Sequence, residues 1–170
     1  MRNMTLAVAI VLLIPVMAGV SLADGEGPLT AIALKTKTMV DTAYDYVLDH
    51  EDDMSVVQYA FRHDPRFIDR EDQLYIYMHY YRVDAKEAIC CGQGARPELI
   101  GKNMWNLRTP NGRLLFKEIS ELLSREPQGW IEYDWLNPYT QRIQTKCSYV
   151  RKITLKGGRT AWIGSGYWKN

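Results

Sequence analysis

The segment Gly129–Val150, GWIEYDWLNPYTQRIQTKCSYV, decides how the rest of the chain is read. Trp130–Trp135 is rich in aromatic residues, Asn137–Thr140 gathers turn formers, and Gln144–Val150 returns as a second β-rich run, so the segment predicts a β-hairpin. Alternation puts Ile131, Tyr133 and Trp135 on one face and Trp130, Glu132 and Asp134 on the other. On the return, Lys146 and Ser148 share a face, and Cys147 and Tyr149 share the opposite one. A sheet that gathers Trp, Tyr and one lysine suits a small anionic ligand, the rings giving shape and the ammonium charge. The plainer alternative is that each aromatic simply fills a core.

On the N-terminal side of the hairpin, Thr109 is read as a cap and Pro110 as the opening residue of a helix. Its Leu115, Phe116, Ile119, Leu122 and Leu123 repeat at three and four, and Glu126-Pro127 ends it. On the C-terminal side, Ile153–Leu155 and a Lys156-Gly157-Gly158 turn lead to a last strand, Thr160–Tyr167. Gly164 and Gly166 in that strand allow the close approach of a backbone or a ligand. Further upstream, Leu74–Val83 (LYIYMHYYRV) reads as a strand with Tyr75, Tyr77, His79 and Tyr81 on one face and Leu74, Ile76, Met78 and Tyr80 on the other. Its hairpin partner is Glu87–Cys91. His79, beside Tyr77, is a ligand-contact candidate or a satisfied histidine.

Leu29–Leu48 carries Ile32, Met39, Val40, Ala43 and Val47 at helical spacing, and Asp53 is placed to cap a shorter helix with Val56, Val57, Ala60 and Phe61 on one face. Asp64-Pro65 closes that second helix. The order is therefore helix, helix, strand, strand, helix, strand, strand, strand. That order predicts an α+β fold, a mainly antiparallel five-stranded sheet with the long N-terminal helix along one face.

Composition narrows the function. With 170 residues and 46% hydrophobic content the chain makes one ordinary domain without need of staples. Met1–Ala23 has Arg2, an apolar run from Leu6 to Val20 and then Ser21-Leu22-Ala23, the pattern of an export signal removed by signal peptidase. An uncleaved anchor is the alternative, because Thr5–Ala23 is uncharged and approaches bilayer length; Pro15 and the small residues favour cleavage. Residues 24–170 then form the mature domain, periplasmic or secreted, with 20 basic and 20 acidic residues and no bulk field toward nucleic acid. Cys90, Cys91 and Cys147 are an odd number for an exported protein, and a bridge from Cys90 or Cys91 to Cys147 is left open.

The chemistry of catalysis is missing from the pattern. There is no nucleophile elbow, no HExxH and no paired carboxylates at a recognisable spacing, and no motif supplies a base to Cys90 or Cys91. Gly92-Gln93-Gly94 lacks the third glycine of a dinucleotide loop. His50, His63 and His79 are scattered, and Glu51-Asp52-Asp53 lacks the alternation and glycine of a calcium loop. No enzyme activity, metal or cofactor is expected.

Five collinear motifs now stand out: PELIGKN at Pro97–Asn103, PNGRLLFKEI at Pro110–Ile119, GWIEYDWLNP at Gly129–Pro138, KCSYV at Lys146–Val150 and IGSGYW at Ile163–Trp168. Over about residues 30–168 the chain resembles the single Cache domain family, second type, the extracytoplasmic sensor modules of bacterial chemoreceptors and kinases. The resemblance implies a PAS-like five-stranded antiparallel sheet with a long N-terminal helix and covering helices, and a small-molecule ligand, in most members a short organic acid. It implies ligand contacts at Tyr77, Trp130, Tyr133, Trp135, Lys146 and Tyr149, to which His79 is added. It also implies a pocket loop containing Pro97, Gly101 and Asn103, which Gln93 and Arg96 lead into. Where members carry an Asp-Gly turn and then a strand ending in His-Pro, this chain has Val83-Asp84-Ala85-Lys86 and then Cys90–Gly94, so Gln93 stands near the histidine's place. With no second membrane helix, kinase or methyl-accepting region in the sequence, the expectation is a free-standing exported sensor. It would bind a carboxylate-like ligand, present it to a membrane receptor or kinase in signal transduction or chemotaxis, and pair with a second copy along the N-terminal helix. The alternative is a ligand-free protein-interaction module of the cell envelope.

Overall fold

The computed structural model describes residues 29–169. The export signal read at residues 1–23 lies outside them. Helix α1, Ala31–His50, starts where the Thr30 side chain accepts a hydrogen bond from the Ala33 amide, and it buries Ala33, Thr36, Met39, Val40, Ala43 and Val47 along one stripe. Helix α2, Met54–His63, is capped by Asp53 as expected and buries Val57, Ala60 and Phe61. Val56, grouped with them by spacing, faces solvent instead. A two-residue ribbon that the sequence did not announce, β1 (Ile68–Asp69) with β2 (Leu74–Tyr75), leads into the main sheet.

That sheet holds β3 (Tyr77–Arg82), β4 (Glu87–Gln93), β5 (Gln128–Leu136), β6 (Ile143–Thr154) and β7 (Thr160–Trp168) in the spatial order β4-β3-β7-β6-β5, every neighbour antiparallel. The α+β architecture read from the sequence, a five-stranded antiparallel sheet with the long N-terminal helix along one face, is the one observed. The hairpin registers Trp130 with Tyr149 and Tyr133 with Lys146, so the two faces assigned by alternation are the two faces of the sheet. One face meets α1 and α2 through Leu74, Ile76, Met78, Tyr149, Ile153 and Ile163. The other meets helix α3, Leu115–Arg125, through Tyr75, Tyr77, Tyr133, Val150 and Trp162.

One expectation is corrected here and one open question is closed. Helix α3 begins five residues later than Pro110, because Thr109–Arg113 closes into a turn: Gly112 sits at φ 87°, and the Arg113 amide donates to the Thr109 hydroxyl at 3.0 Å. The threonine caps the turn, not the helix. The cysteines are all free and buried. Cys90 and Cys91 on β4 are three strands away from Cys147 on β6, about 14 Å at ordinary strand spacing, beyond disulfide reach. Among the described residues no helix is long and apolar enough to cross a membrane.

Candidate ligand-binding site

The α3 face of the sheet lines a cavity of about 30 Å³, room for a water molecule or two. Its floor is aromatic: Tyr75, Tyr77 and His79 from consecutive same-face positions, Tyr133 and Trp135 from β5, and Trp162 from the middle strand β7. Its roof is aliphatic and aromatic, Leu99 and Met104 from the loop after β4, and Leu115, Phe116 and Ile119 from the first turns of α3. Gln93 and Arg96 stand on the remaining side.

Glycine on β7 makes the floor. A Cβ on Gly164 would lie 2.6 Å from the Tyr77 ring, so that ring is laid flat on the strand. A Cβ on Gly166 would lie 2.2 Å from Ser148 Oγ and 2.9 Å from Lys146 Cε, so those two side chains occupy the space that its missing side chain leaves. His79 stacks on Trp162 with centroids 4.4 Å apart, and Trp162 meets Tyr77 edge-on at 5.9 Å.

Polar groups in this wall are unequally satisfied. Tyr133 and Ser148 share a hydrogen bond at 3.0 Å. Tyr77 OH, His79 Nδ1 and Trp162 Nε1 are buried without a partner, and such groups carry a desolvation penalty of about 1–3 kcal/mol each. Burial pushes the His79 imidazole down to about 3, so it is neutral, and pushes the phenols of Tyr75, Tyr77 and Tyr133 up. The same effect pushes the Cys90 thiol up to about 11, which leaves it protonated and unreactive.

Lys146 is the unusual group. It is 1% exposed, and its Nζ lies 3.9 Å from the Tyr75 ring centroid, 4.8 Å from that of Trp168 and 5.4 Å from that of Tyr77. Among the described residues no carboxylate pairs with it, and burial alone pushes its ammonium down to about 7. It stands one ring behind the cavity wall rather than on it. The cation on the wall is Arg96, whose Nε donates to Glu98 at 2.8 Å; that side chain is 39% exposed, and so open a pair is weak and easily exchanged for another anion.

Of the residues read as ligand contacts, Tyr77, His79, Tyr133 and Trp135 converge on the cavity, together with Gln93 and Arg96 of the loop. Trp130 and Tyr149 do not. They pack on each other at 5.1 Å on the α1 face, because odd and even positions of a strand point to opposite sides of the sheet. Pro97, Gly101 and Asn103 are not on the wall either; they shape the loop. Asn103 Oδ1 accepts from the Ala88 and Trp105 amides at 3.1 and 3.0 Å, and the Gly101 amide donates to Cys90 O at 2.7 Å, which ties the loop to the outer edge of β4. Sequence reasoning missed Tyr75, Trp162, Phe116, Ile119, Leu115, Met104 and Leu99 as wall residues. Alternation had already placed Tyr75 beside Tyr77, whereas Trp162 is reached only once β7 is known to be the middle strand.

The family model described as single Cache domain 2 matches residues 38–155. Solved structures of similar shape include the periplasmic sensor domain of a chemotaxis protein, at 19% identity and TM-score 0.64, covering 84% of this chain and 100% of that one. A Cache chemosensory domain studied for carboxylic acid recognition aligns at 18% identity and TM-score 0.63 over 82% of this chain and 95% of that one. A methyl-accepting chemotaxis protein from Vibrio parahaemolyticus RIMD 2210633 aligns at 15% identity and TM-score 0.63 over 81% of this chain and 88% of that one. At these identities the three likenesses concern the fold.

Proposed function

This chain belongs to the single Cache domain 2 family of sensor modules, which are ligand binders rather than enzymes, and from that premise we propose that it senses a short organic acid. The observation that carries the reading is Lys146, a buried cation without a counter-charge, one ring away from an aromatic cavity. An isolated buried charge is costly, and an anion seated beside it removes much of that cost. Tyr77 OH, His79 Nδ1 and Trp162 Nε1 give the ligand further polar partners, while Trp135 and Phe116 exclude water and strengthen each contact. A domain of similar fold studied for carboxylic acid recognition supports the same class. In this proposal residues 1–23 direct export, residues 24–170 are the mature sensor, and the bound form is presented to a membrane receptor or kinase. Two copies pair along the outer face of α1, where Leu34 is exposed.

A thermal-shift screen of the purified protein against short organic acids, amino acids, urea, amides and purines tests the reading. A ligand present at a hundred times its dissociation constant adds about 2.7 kcal/mol of stability. The expected result is a hit among the acids that Lys146→Met abolishes. A hit unaffected by that substitution removes Lys146 from the site.

One observation favours a second reading, a docking module without a ligand. The cavity is small, and Leu136, Tyr139 and Ile143 are exposed at the tip of the β5–β6 hairpin. Silence across the whole screen, with partner binding lost in Ile143→Asp, is the result that selects it.

A further inference from the structure

We propose that this domain takes up its carboxylate together with one proton, which Lys146 accepts, so that occupancy reports the acidity of the surroundings as well as the ligand. The inference rests on the organic-acid reading above and adds the proton to it.

The stem of Lys146 lies against β7 where Gly166 has no side chain, and its Nζ ends among ring faces, so the amine is enclosed rather than extended to water. Ring faces attract a cation but replace only part of its hydration, and they offer no acceptor for its three N–H bonds. The groups that face it are Tyr75 from β2, Tyr77 from β3, Tyr133 from β5, Trp168 from β7 and Ser148 from its own strand. None is a carboxylate. The nearby Lys169–Glu132 pair belongs to the opposite face of β5, and Glu98 is on the rim with Arg96.

The tyrosines keep their protons because burial pushes them up, and His79 stays neutral because burial pushes it down to about 3. Lys146, enclosed behind this wall and pushed down to about 7, is therefore the group beside the cavity that titrates near neutrality. Above that point the free site holds a neutral amine. A carboxylate that enters brings one negative charge, the amine takes one proton from solvent, and the bound state holds an ammonium and a carboxylate on either side of the Tyr75 and Tyr77 rings, with no net change of charge in the site. The pair raises the affinity of Lys146 for its proton, and by linkage the proton raises the affinity for the acid.

Isothermal titration of the purified protein with acetate, propionate and lactate tests this, each acid run at about pH 8 in phosphate and in Tris, buffers of low and high ionisation enthalpy. The expected result is a binding heat that differs between buffers by an amount equal to the uptake of about one proton. Affinity is expected to be flat below neutrality and to fall about tenfold per pH unit above it. Carbon NMR of the Lys146 ε-methylene in the wild-type protein reads the same event without a variant: its titration is expected near neutrality in the free protein and at higher pH when acetate is present. An acid that binds with equal heat in both buffers and constant affinity from about pH 6 to pH 9 overturns the proton uptake and leaves the organic-acid reading standing. Absence of binding by all three acids even at about pH 6, where Lys146 is charged, overturns both.

Discussion

Lys146→Met removes a buried charge and keeps most of the volume of the side chain, so the ligand-free domain should become more stable. The sign follows from the two states. In the unfolded chain Lys146 holds its proton up to about 10.5 and in the fold up to about 7, so between these values the unfolded chain binds more protons and stability rises with pH. Below about 7 the full penalty is present, on the order of a few kcal/mol. Melting temperatures should therefore favour Lys146→Met at pH 6 by more than at pH 9, the gap closing toward 10.5. His79 acts in the same direction at lower pH. Its neutral ring contributes stability above 6.5 that is lost as pH falls toward about 3. At Gly166 the limit is steric: a Cβ would lie 2.2 Å from Ser148 Oγ and 2.7 Å from Cys147 O, a backbone atom. Gly166→Ala should cost about 1–3 kcal/mol, read as a lower denaturation midpoint. At this scale alternation read both faces of the hairpin correctly, yet the family resemblance placed Trp130 and Tyr149 beside the ligand with Tyr133. A period of two separates faces without saying which one α1 covers. The burial of Lys146 was equally out of reach, since a lone lysine in a strand normally extends to solvent.

The loop from Arg96 to Trp105 behaves as an added edge to the sheet. Cys90 N donates to Lys102 O, Gly101 N to Cys90 O and Met104 N to Ala88 O, so the outer side of β4 is paired and the roof residues Leu99 and Met104 are held over the cavity. Asn103→Ala removes the acceptor for two amides, those of Ala88 and Trp105, and leaves the Ala88 amide part-buried. A loss of about 1–2 kcal/mol is expected, with faster amide hydrogen exchange at Ala88 and Trp105 before it is felt elsewhere. Arg113 does the corresponding work for α3, donating to Glu132 O at 2.6 Å and pairing with Glu118 in the first turn of the helix. The helices with apolar stripes, α1 and α2, were legible in the sequence almost to the residue. The start of α3 was not, because Thr-Pro reads equally as a helix entry and as a turn, and Gly112 at positive φ decides for the turn.

The molecule as a whole is a sheet with two unlike covers. The α1 side is closed by a continuous apolar stripe, while the α3 side rests on a short helix, a tied loop and a cavity whose polar wall is incompletely satisfied. A ligand that outgrows this small cavity presses on the second cover and not on the first. Ligand addition should thus slow hydrogen exchange across residues 97–125 and leave α1 little changed, a contrast read directly by mass spectrometry. The antiparallel five-stranded plan was legible from the order of elements, but the pairing of β7 with β3 was not, since hairpins are local and this pairing spans about half of the chain. That pairing has a consequence for biogenesis. The strand at the centre of the sheet is the last of the five to leave the ribosome, so the β3–β4 and β5–β6 hairpins have nothing to join them until residues 160–168 arrive. The sheet of a nascent chain of this kind stays incomplete until its middle strand is made.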